Sequence, residues 1–374
     1  MRAAITRAGA LVVEEVPDPV PQEGQVLVRT LACGICGSDL HALGDPEAFA
    51  DITRRSGGTA YDIRNGLVLG HEYAAEIVDY GPGTVRALPV GTTVCGPPIG
   101  FGPQGSGIVG YTPAFPGGFG EYMILSEAFT MPVPGGLDPR TAALTEPFSV
   151  AARAVRRAEM APGSVAVVIG LGPVGLGIVA VLKARGHGPV VAVDFSAGRR
   201  ALAERLGADI LIDPAVESPY DRWTSFGVIA GMTERMAAEY RGLRPTEAVL
   251  FECVGGPGMF AQVVAGAPVG AKIVLVGVCL RPDTVEPGLL ANKELDVRGS
   301  FGGSPAEYRQ TLRDIADGRI DAGAIITGTT GLSGLTDALT ALREPDRHAK
   351  IIVDPSLDGT RAPGRPDRPA LEDK

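Results

Sequence analysis

The sequence predicts an α/β protein in two parts, a β-rich N-terminal region followed by a doubly wound parallel sheet. The chain has 374 residues, enough for two hydrophobic cores. Up to about residue 140, short stretches such as Gln25–Leu31 alternate apolar and polar residues between Gly- and Pro-rich turns, which is typical of half-buried strands. From Ala161 onward, continuous apolar runs alternate with helical patterns, as they do when strands are buried on both faces of a parallel sheet.

The domain boundaries follow from where these patterns begin and end. Apolar runs lie at residues 165–169, 190–193, 249–251 and 272–276, and helical patterns extend to Lys183 and over Ala197–Leu206. After about Arg298 we expect the chain to return to the first region, through a helix at 308–317 and a strand at 350–353. The predicted domains are 1–148 with 300–354, and 149–299. The tail at 355–374, rich in Pro, Gly and charge, is expected to be disordered.

Composition excludes several classes of function. With 34 basic and 43 acidic residues interspersed along the chain, the formal net charge is −9, so we expect neither a nucleic-acid-binding nor an anionic membrane-binding surface. The first residues lead straight into a strand-like segment, and we find no apolar run of the roughly 18 residues that a membrane span needs. The expected location is the cytoplasm. Five scattered cysteines do not form a disulfide framework.

A glycine-rich turn follows the apolar run at 165–169. It fits the G-x-G-x-x-G pattern and opens a helix, with the order Gly170, Gly172, Pro173, Val174, Gly175. Taken alone, such a match is also met in ordinary turns. Its context indicates a dinucleotide site, because the backbone can approach a pyrophosphate there and the start of the helix attracts negative charge.

Asp194 lies at the end of the next apolar run, where such folds place the residue that binds the adenosine ribose. Its carboxylate would accept hydrogen bonds from the ribose hydroxyls and repel a 2′-phosphate, so the sequence favours NAD over NADP. Arg199 and Arg200 follow closely. They either moderate this preference by binding the cofactor or form a solvated helix face.

Three short segments carry candidate metal ligands: Cys33 to His41, Gly70-His71-Glu72, and Thr145-Glu146-Pro147. Each has an alternative interpretation when it is taken alone. The cysteines can be buried core residues or a redox pair, His71 can be a core histidine, and Glu146 can be a carboxylate at the start of a helix. Their occurrence in this order, upstream of a nucleotide-binding fold, is far more specific.

In that combination the chain resembles the zinc-dependent medium-chain dehydrogenase/reductase family over nearly its whole length. The resemblance implies a GroES-like catalytic domain beside a Rossmann domain. It is closer to the polyol and threonine dehydrogenases, because Glu146 stands where the short-chain alcohol enzymes have a ligating cysteine. It implies that Cys36, His71 and Glu146 bind one catalytic zinc ion, with Glu72 as an alternate ligand, and that Asp39 orients His71.

The same resemblance implies further roles. Ser38 would accept the alcohol proton and pass it, by way of the nicotinamide ribose, to His41 at the surface, and Cys33 would not bind the metal. Positions that contact nicotinamide in the family correspond to Val254, Val278 and Phe301. Arg298 and Lys350 are either phosphate or substrate contacts or surface cations.

The chain departs from the family in three segments. Cys95 is the one cysteine in the stretch where many relatives have four, so we expect no structural zinc. The connection around Asp45–Asn65 is enlarged, and we expect Phe49 or Tyr61 to line or cover the substrate pocket. A long charged connection, Pro214–Thr246, has no evident role.

The sequence therefore predicts a zinc-dependent, NAD-linked dehydrogenase that acts on a secondary alcohol, a polyol or a sugar hydroxyl, as a homodimer or homotetramer. A zinc-free quinone or enoyl reductase with the same fold is the first alternative, and a non-catalytic nucleotide-binding protein is the second.

Overall fold

A computed structural model describes residues 1–359. The described chain divides into two compact units. The first unit comprises residues 1–133, 329–339 and the described residues from 352 onward, and the second comprises 134–328 and 340–351.

Short strands make up most of the first unit, as the alternating pattern predicts. Its strands are β1 (Arg2–Arg7), β2 (Ala10–Glu15), β3 (Gln25–Gly34), β4 (Glu72–Tyr80), β5 (Thr93–Cys95), β6 (Ile99–Gly102), β7 (Gly105–Ile108), β8 (Tyr122–Ser126) and β9 (Met131–Pro132). Between β3 and β4 lie the helices α1 (Gly37–Gly44) and α2 (Pro46–Arg55).

Strand β3 organises the sheet of this unit. It pairs antiparallel with β4 and β8, and residues Ile352 and Val353 pair with its last residues. In the β3–β4 pair, Gly34 lies opposite Glu72. Because α1 begins just beyond β3 and β4 begins at Glu72, this register brings the start of α1 close to the start of β4.

The second unit consists of strands and helices in alternation. Its helices are α3 (Pro139–Ala143), α4 (Thr145–Ala158), α5 (Pro173–Ala184), α6 (Ala197–Arg205), α7 (Met232–Tyr240), α8 (Met259–Gly266), α9 (Pro287–Asn292) and α10 (Pro305–Ala316). Its strands are β10 (Val165–Ile169), β11 (Val190–Val193), β12 (Ile210–Ile212), β13 (Ala248–Glu252), β14 (Lys272–Leu275) and β15 (Asp296–Gly299). The last elements, β16 (Ile326–Thr330), α11 (Leu335–Ala341) and β17 (Lys350–Val353), span the positions where the division between the units falls.

The strands β10 to β15 form one parallel sheet in the order β12-β11-β10-β13-β14-β15. This is the order of a doubly wound sheet, in which the chain reverses direction across the sheet between its third and fourth strands. Every residue of β10 and β13 is buried, which explains their unbroken apolar runs. The predicted fold class of the second region is confirmed.

The units differ from the predicted domains at their edges. Helices α3, α4 and α10 belong to the second unit, whereas the prediction divided the chain at 148/149 and 299/300. The reason is packing. Helix α4 lies against α5 closely enough that a Cβ on Gly177 would stand 3.0 Å from that of Ala151, and α10 is tied to α4 through Glu307.

The expectation of disorder from residue 355 is wrong for its first residues. Pro355–Asp358 forms a short 3-10 helix, and Asp358 accepts hydrogen bonds from the backbone N–H and the hydroxyl of Ser333, at 2.8 and 2.7 Å. The remainder of the predicted disordered tail, 360–374, lies outside the described residues. Within residues 1–359, none of the helices combines the length and apolar character that a membrane crossing requires.

The long connection at 214–246 completes the core of the second unit. Trp223 is buried against the sheet, and its indole N–H donates to the carbonyl of Gly266 at 2.9 Å. The rings of Tyr220 and Phe226 pack beside it. Helix α7 follows, and Arg235 on it donates to the carbonyl of Val269 at 2.8 Å. This segment therefore covers apolar surface that would otherwise be exposed to water.

Glu307 on α10 forms ion pairs with α4 whose contribution to stability depends on pH. Its carboxylate accepts from Arg156 and from the backbone N–H of Ser304, and it lies 3.5 Å from Arg153. Burial alone would raise the pKa of Glu307, but these hydrogen bonds and the charge of Arg156 outweigh burial and lower that pKa below its ordinary value. The stabilisation is therefore present above the unfolded-state pKa of about 4.3 and is lost as the pH falls through the folded-state value.

We expect Glu307→Gln to lower the melting temperature by a few degrees at pH 7, because the charged pairing to α4 is removed. The difference from wild type should shrink as the pH falls from about 5 to about 3. Thermal unfolding followed by circular dichroism measures this. Glu204→Gln, at an exposed position on α6, is the control. A deficit for Glu307→Gln that persists unchanged at acid pH would contradict this account.

Candidate metal centre and nucleotide-binding loops

The first unit contains a cluster of potential metal ligands formed by Cys36, His71 and Glu72. Within the described part of the chain this is the one group of three or more His, Cys, Asp or Glu residues whose ligand atoms all lie within 4.8 Å of one another. His71 and Glu72 are buried and Cys36 is half-buried. A thiolate, an imidazole and a carboxylate are the donors that zinc accepts, so these residues fit a zinc ion.

Backbone register and small residues set the position of Glu72. Gly34 is its cross-strand neighbour, and a Cβ on Gly34 would stand 2.0 Å from Glu72 Oε2. Any other residue at position 34 would therefore collide with the carboxylate. The glycine that precedes Cys36 by two positions is a requirement of the cluster.

His71 is positioned by a second glycine. Gly70 has φ +97°, and a Cβ there would lie 2.7 Å from the Phe119 ring and 2.8 Å from Cys33 Sγ. The neighbouring loop at 117–119 donates three backbone hydrogen bonds, of 2.8 to 3.0 Å, to the carbonyls of residues 68–70. The loop that precedes His71 is therefore held by backbone hydrogen bonds and by close packing at Gly70. Cys33 packs close to Gly70 and is not one of the three clustered residues; that it does not bind the metal stays a prediction.

Asp39 contacts two of the candidate ligand residues, Cys36 and His71. It is fully buried on α1, its Oδ2 accepts the backbone N–H of Cys36 at 3.0 Å, and its Oδ1 lies 3.7 Å from His71 Nδ1. Burial raises the pKa of the Asp39 carboxyl, while the charge of His71 opposes that rise. A carboxylate in this place can hold the imidazole in one orientation.

The sequence reasoning missed Tyr111. Its hydroxyl lies 2.8 Å from Asp39 Oδ1 and 3.0 Å from Ser38 Oγ, and burial raises the pKa of this phenol well above its ordinary value. Its ring stacks on Phe49 of α2 at 5.4 Å and lies 5.4 Å from the ring of His71. No local motif marks this tyrosine, since it lies in a Gly- and Pro-rich stretch without a regular period.

The remaining predicted residues of this region are distributed as follows. Ser38 is half-buried at the start of α1, and His41 is exposed near the end of that helix. Cys95 is buried in β5. Glu146 is buried in the first turn of α4, in the second unit. The assignment of Glu146 as a metal ligand stays a prediction, as does the relay through Ser38 and His41.

In the second unit, the glycine-rich turn has the geometry that a dinucleotide site needs. Gly170 has φ +90°, and a Cβ on Gly175 would stand 2.0 Å from the Gly170 carbonyl oxygen. At Gly172, by contrast, a Cβ would point into open space. Pro173 is the first residue of α5 and Val174 the second, so the first turn of the helix, whose N–H groups have no acceptor within the helix, directly follows Gly172.

Asp194 stands at the end of β11, beside that turn. Its carboxylate accepts the backbone N–H of Leu171 at 2.7 Å and that of Ser196 at 2.8 Å. Arg200 donates to the carbonyls of Asp194 and Phe195 and pairs with Asp213 at 3.0 Å, so its charge is already compensated. Arg199 lies half-buried in the first turn of α6.

The positions predicted to contact nicotinamide lie in loops that follow β13, β14 and β15, at the carboxyl edge of the sheet where such folds bind ligands. Val254, Val278 and Phe301 are 49 %, 44 % and 79 % exposed. Exposed apolar side chains at this edge are available to a ligand.

Glu252, at the end of β13, was missed by sequence reasoning. It is buried, and its Oε1 accepts the backbone N–H of Val254 at 2.7 Å and that of Gly255 at 2.8 Å. A Cβ on Gly255 would stand 2.6 Å from the nitrogen of Val278, so the loops after β13 and β14 are in close contact. By accepting these two N–H groups, Glu252 fixes the loop after β13, and that loop in turn supports the loop after β14.

The side chains of Arg298 and Lys350 have different surroundings. Arg298 pairs with Asp296 and Glu159, both at 2.7 Å, which commits its guanidinium to the structure. Lys350 is fully buried in β17. These ion pairs favour a structural role for Arg298, and its contact with a phosphate or substrate stays a prediction.

Comparison with known proteins identifies the family. The model described as "Alcohol dehydrogenase GroES-like domain" matches residues 22–135, and "Zinc-binding dehydrogenase" matches 173–317. The (R,R)-butanediol dehydrogenase of Bacillus subtilis strain 168 is 30 % identical over 359 residues, covering 92 % of this chain and 96 % of the relative. Sorbitol dehydrogenase of the same strain is 27 % identical over 373 residues, covering 95 % and 98 %.

A comparison with solved structures indicates the same family. The X-ray crystal structure of 2R,3R-butanediol dehydrogenase from Bacillus subtilis matches with a TM-score of 0.75 and 27 % identity, over 95 % of this chain and 99 % of that one. The chain belongs to the zinc-binding alcohol dehydrogenase family of medium-chain dehydrogenases. The predicted GroES-like and Rossmann regions, and the predicted enzyme class of NAD(P)-dependent alcohol or polyol dehydrogenases, are confirmed.

We expect Glu252→Ala to weaken binding of the reduced cofactor about tenfold, because two loop N–H groups lose their charged acceptor and the loop loses its fixed position. Titration followed by cofactor fluorescence measures the dissociation constant. Glu252→Gln keeps an amide oxygen at the same place and should retain most of the affinity. Equal affinity in Glu252→Ala and wild type would remove Glu252 from the cofactor site.

Proposed function

We propose that the protein is an NAD-linked, zinc-dependent dehydrogenase that interconverts a secondary alcohol, polyol or sugar hydroxyl with the corresponding carbonyl. The observation that carries the proposal is the convergence of Cys36, His71 and Glu72 in a family whose members bind zinc. Relatives named for butanediol and sorbitol support a small polyhydroxy substrate.

The zinc ligands in this proposal are Cys36, His71 and Glu146, with Glu72 as the alternate ligand. Such a set leaves one position open for substrate. When bound, zinc supplies Lewis acidity that lowers the pKa of the substrate hydroxyl. Asp39 holds the imidazole of His71 in place.

Proton movement falls to α1. Ser38 takes the proton of the substrate hydroxyl and releases its own hydrogen in exchange, and His41, at the exposed end of the same helix, delivers a proton to solvent. The loops that carry Val254, Val278 and Phe301 hold the nicotinamide, whose acceptance of hydride is the cofactor's own chemistry.

A substrate panel with zinc analysis tests the proposal. We expect about one zinc per chain, because one ligand set is present, and NAD reduction with some members of a set of alcohols, polyols and sugars at alkaline pH. Cofactor absorbance follows the reaction. A protein without zinc that reduces quinones or enoyl compounds would establish the zinc-free reductase instead. A protein that binds cofactor but turns over none of these substrates would indicate a binding role.

Two variants separate the metal from the cofactor in that experiment. His71→Ala should lose zinc and turnover and keep cofactor binding, because the glycine-rich turn belongs to the other unit. Glu146→Ala should lower zinc occupancy if Glu146 is a ligand. Wild-type zinc content in Glu146→Ala would leave Cys36, His71 and Glu72 as the ligand set.

The preference for NAD is proposed from Asp194, whose negative charge would stand against a 2′-phosphate. Arg200 does not offset it, since it already pairs with Asp213. We expect Asp194→Asn to raise kcat/KM for NADP relative to NAD by about tenfold. The amide oxygen keeps an acceptor for the N–H of Leu171, while the negative charge and the second acceptor, which takes the N–H of Ser196, are lost. Steady-state kinetics with both cofactors measure the ratio, and Asp213→Asn tests whether freeing Arg200 has a separate effect. An unchanged ratio in Asp194→Asn would exclude this basis for selectivity.

The absence of a structural zinc, residence in the cytoplasm and assembly into a homodimer or homotetramer stay predictions from the sequence.

A further inference from the structure

The enlarged segment after α1 contacts the metal-ligand cluster through two aromatic rings. Phe49, on α2, stacks on Tyr111 with ring centroids 5.4 Å apart and an interplanar angle of 30°. The Tyr111 ring in turn lies 5.4 Å from the ring of His71. The three rings form a continuous row from the inserted helix to a metal-ligand residue.

The Tyr111 hydroxyl stands between two polar groups that the mechanism uses. It lies 2.8 Å from Asp39 Oδ1 and 3.0 Å from Ser38 Oγ. A phenol has one proton to donate, and a carboxylate can only accept. The proton therefore points at Asp39, and the contact with Ser38 is made by the serine hydroxyl donating to the Tyr111 oxygen.

This direction of hydrogen bonding decides what Ser38 can do. When its hydrogen is directed at Tyr111, the lone pairs of Ser38 Oγ are turned elsewhere and can accept a hydrogen bond from a substrate hydroxyl. As Ser38 then takes the substrate's proton, it turns away from Tyr111 and releases its own hydrogen on the path to His41, so that one O–H bond forms as another breaks. Without Tyr111, the serine hydroxyl would be free to rotate and to donate to its neighbours. The Asp39 carboxylate would also lose one of its hydrogen-bond donors.

We propose that Tyr111, held in place by Phe49 of the inserted helix, is a positioning residue. It orients Ser38 to accept a hydrogen bond from the substrate hydroxyl, and it orients Asp39 to support His71. The proposal rests on the proposed function. It gives the enlarged segment at residues 45–65 a role, which is to hold the ring of Tyr111 against the metal-ligand cluster.

The test is Tyr111→Phe, which removes the oxygen and keeps the ring stack. We expect kcat to fall about tenfold with KM nearly unchanged, and zinc to pass to an excess of a chromogenic chelator about tenfold faster, because groups that support metal ligands change metal affinity and activity by such factors. The chelator measurement needs no substrate. Tyr80→Phe is the matched control, since it deletes a phenol hydrogen bond to the Leu88 carbonyl in the same unit.

The stack and the link to Ser38 are tested separately. Phe49→Leu should change zinc release and kcat in the same direction as Tyr111→Phe, and Phe49→Tyr, which keeps a ring for the stack, should change both less than Phe49→Leu does. In a Ser38→Ala background, adding Tyr111→Phe should lower kcat much less than it does in wild type, because the two hydroxyls act as one unit.

The outcomes divide cleanly. Wild-type protein that holds zinc and turns over substrate, with Tyr111→Phe equal to it in kcat and in zinc release, would overturn this inference and leave the proposed function standing. Wild-type protein without zinc would refute the proposed function itself. If Tyr111→Phe folds poorly, Phe49→Leu at normal zinc release and normal kcat overturns the inference on its own.

Discussion

The structure of the candidate site depends on one antiparallel register. Gly34, the last residue of β3, pairs with Glu72, the first residue of β4. Cys36 lies two residues beyond the first of these, and His71 lies one residue before the second. A shift of the register by one residue would reverse the faces of β4 and separate the ligands. The small size of Gly34 is what allows the carboxylate of Glu72 to occupy the space over the strand end.

In each unit, buried or half-buried carboxylates accept hydrogen bonds from the backbone N–H groups of the loops at the candidate sites. Asp39 accepts the N–H of Cys36, Asp194 accepts that of Leu171, and Glu252 accepts two N–H groups of the loop after β13. A charged acceptor makes a stronger hydrogen bond than a neutral one and leaves lone pairs for a further partner. Each loop is thus fixed before any ligand arrives, which lowers the entropy lost on binding.

Many of the strands, and the glycine-rich turn, could be predicted from the sequence because local residue patterns determine them. Strand β11 lies at the predicted residues, since an unbroken apolar run bounded by turns has few other interpretations. The glycines of the turn after β10 were recognisable by spacing. Helix α2 was not predicted, although Asp45 followed by Pro46 is a helix-start signal that was present.

What could not be predicted depends on contacts between distant stretches. Tyr111 and Asp39 lie 72 residues apart in the chain and meet only in the folded unit, and the stretch around Tyr111 has no period that reveals this pairing. Glu252 looks like any acidic residue after an apolar strand until the loop folds back over it. The units of the structure differ from the predicted domains for the same reason, since α4 and α10 join the second unit through side-chain contacts that local sequence does not record.

The burial of Trp223 has a practical consequence. It is the only tryptophan in the chain, and it packs in the core of the second unit with its indole N–H bonded to the Gly266 carbonyl. Its emission is therefore an intrinsic optical probe of that unit alone. When the chain is denatured gradually, tryptophan fluorescence reports the loss of the nucleotide-binding core, and the β-rich unit loses its structure without contributing to that signal.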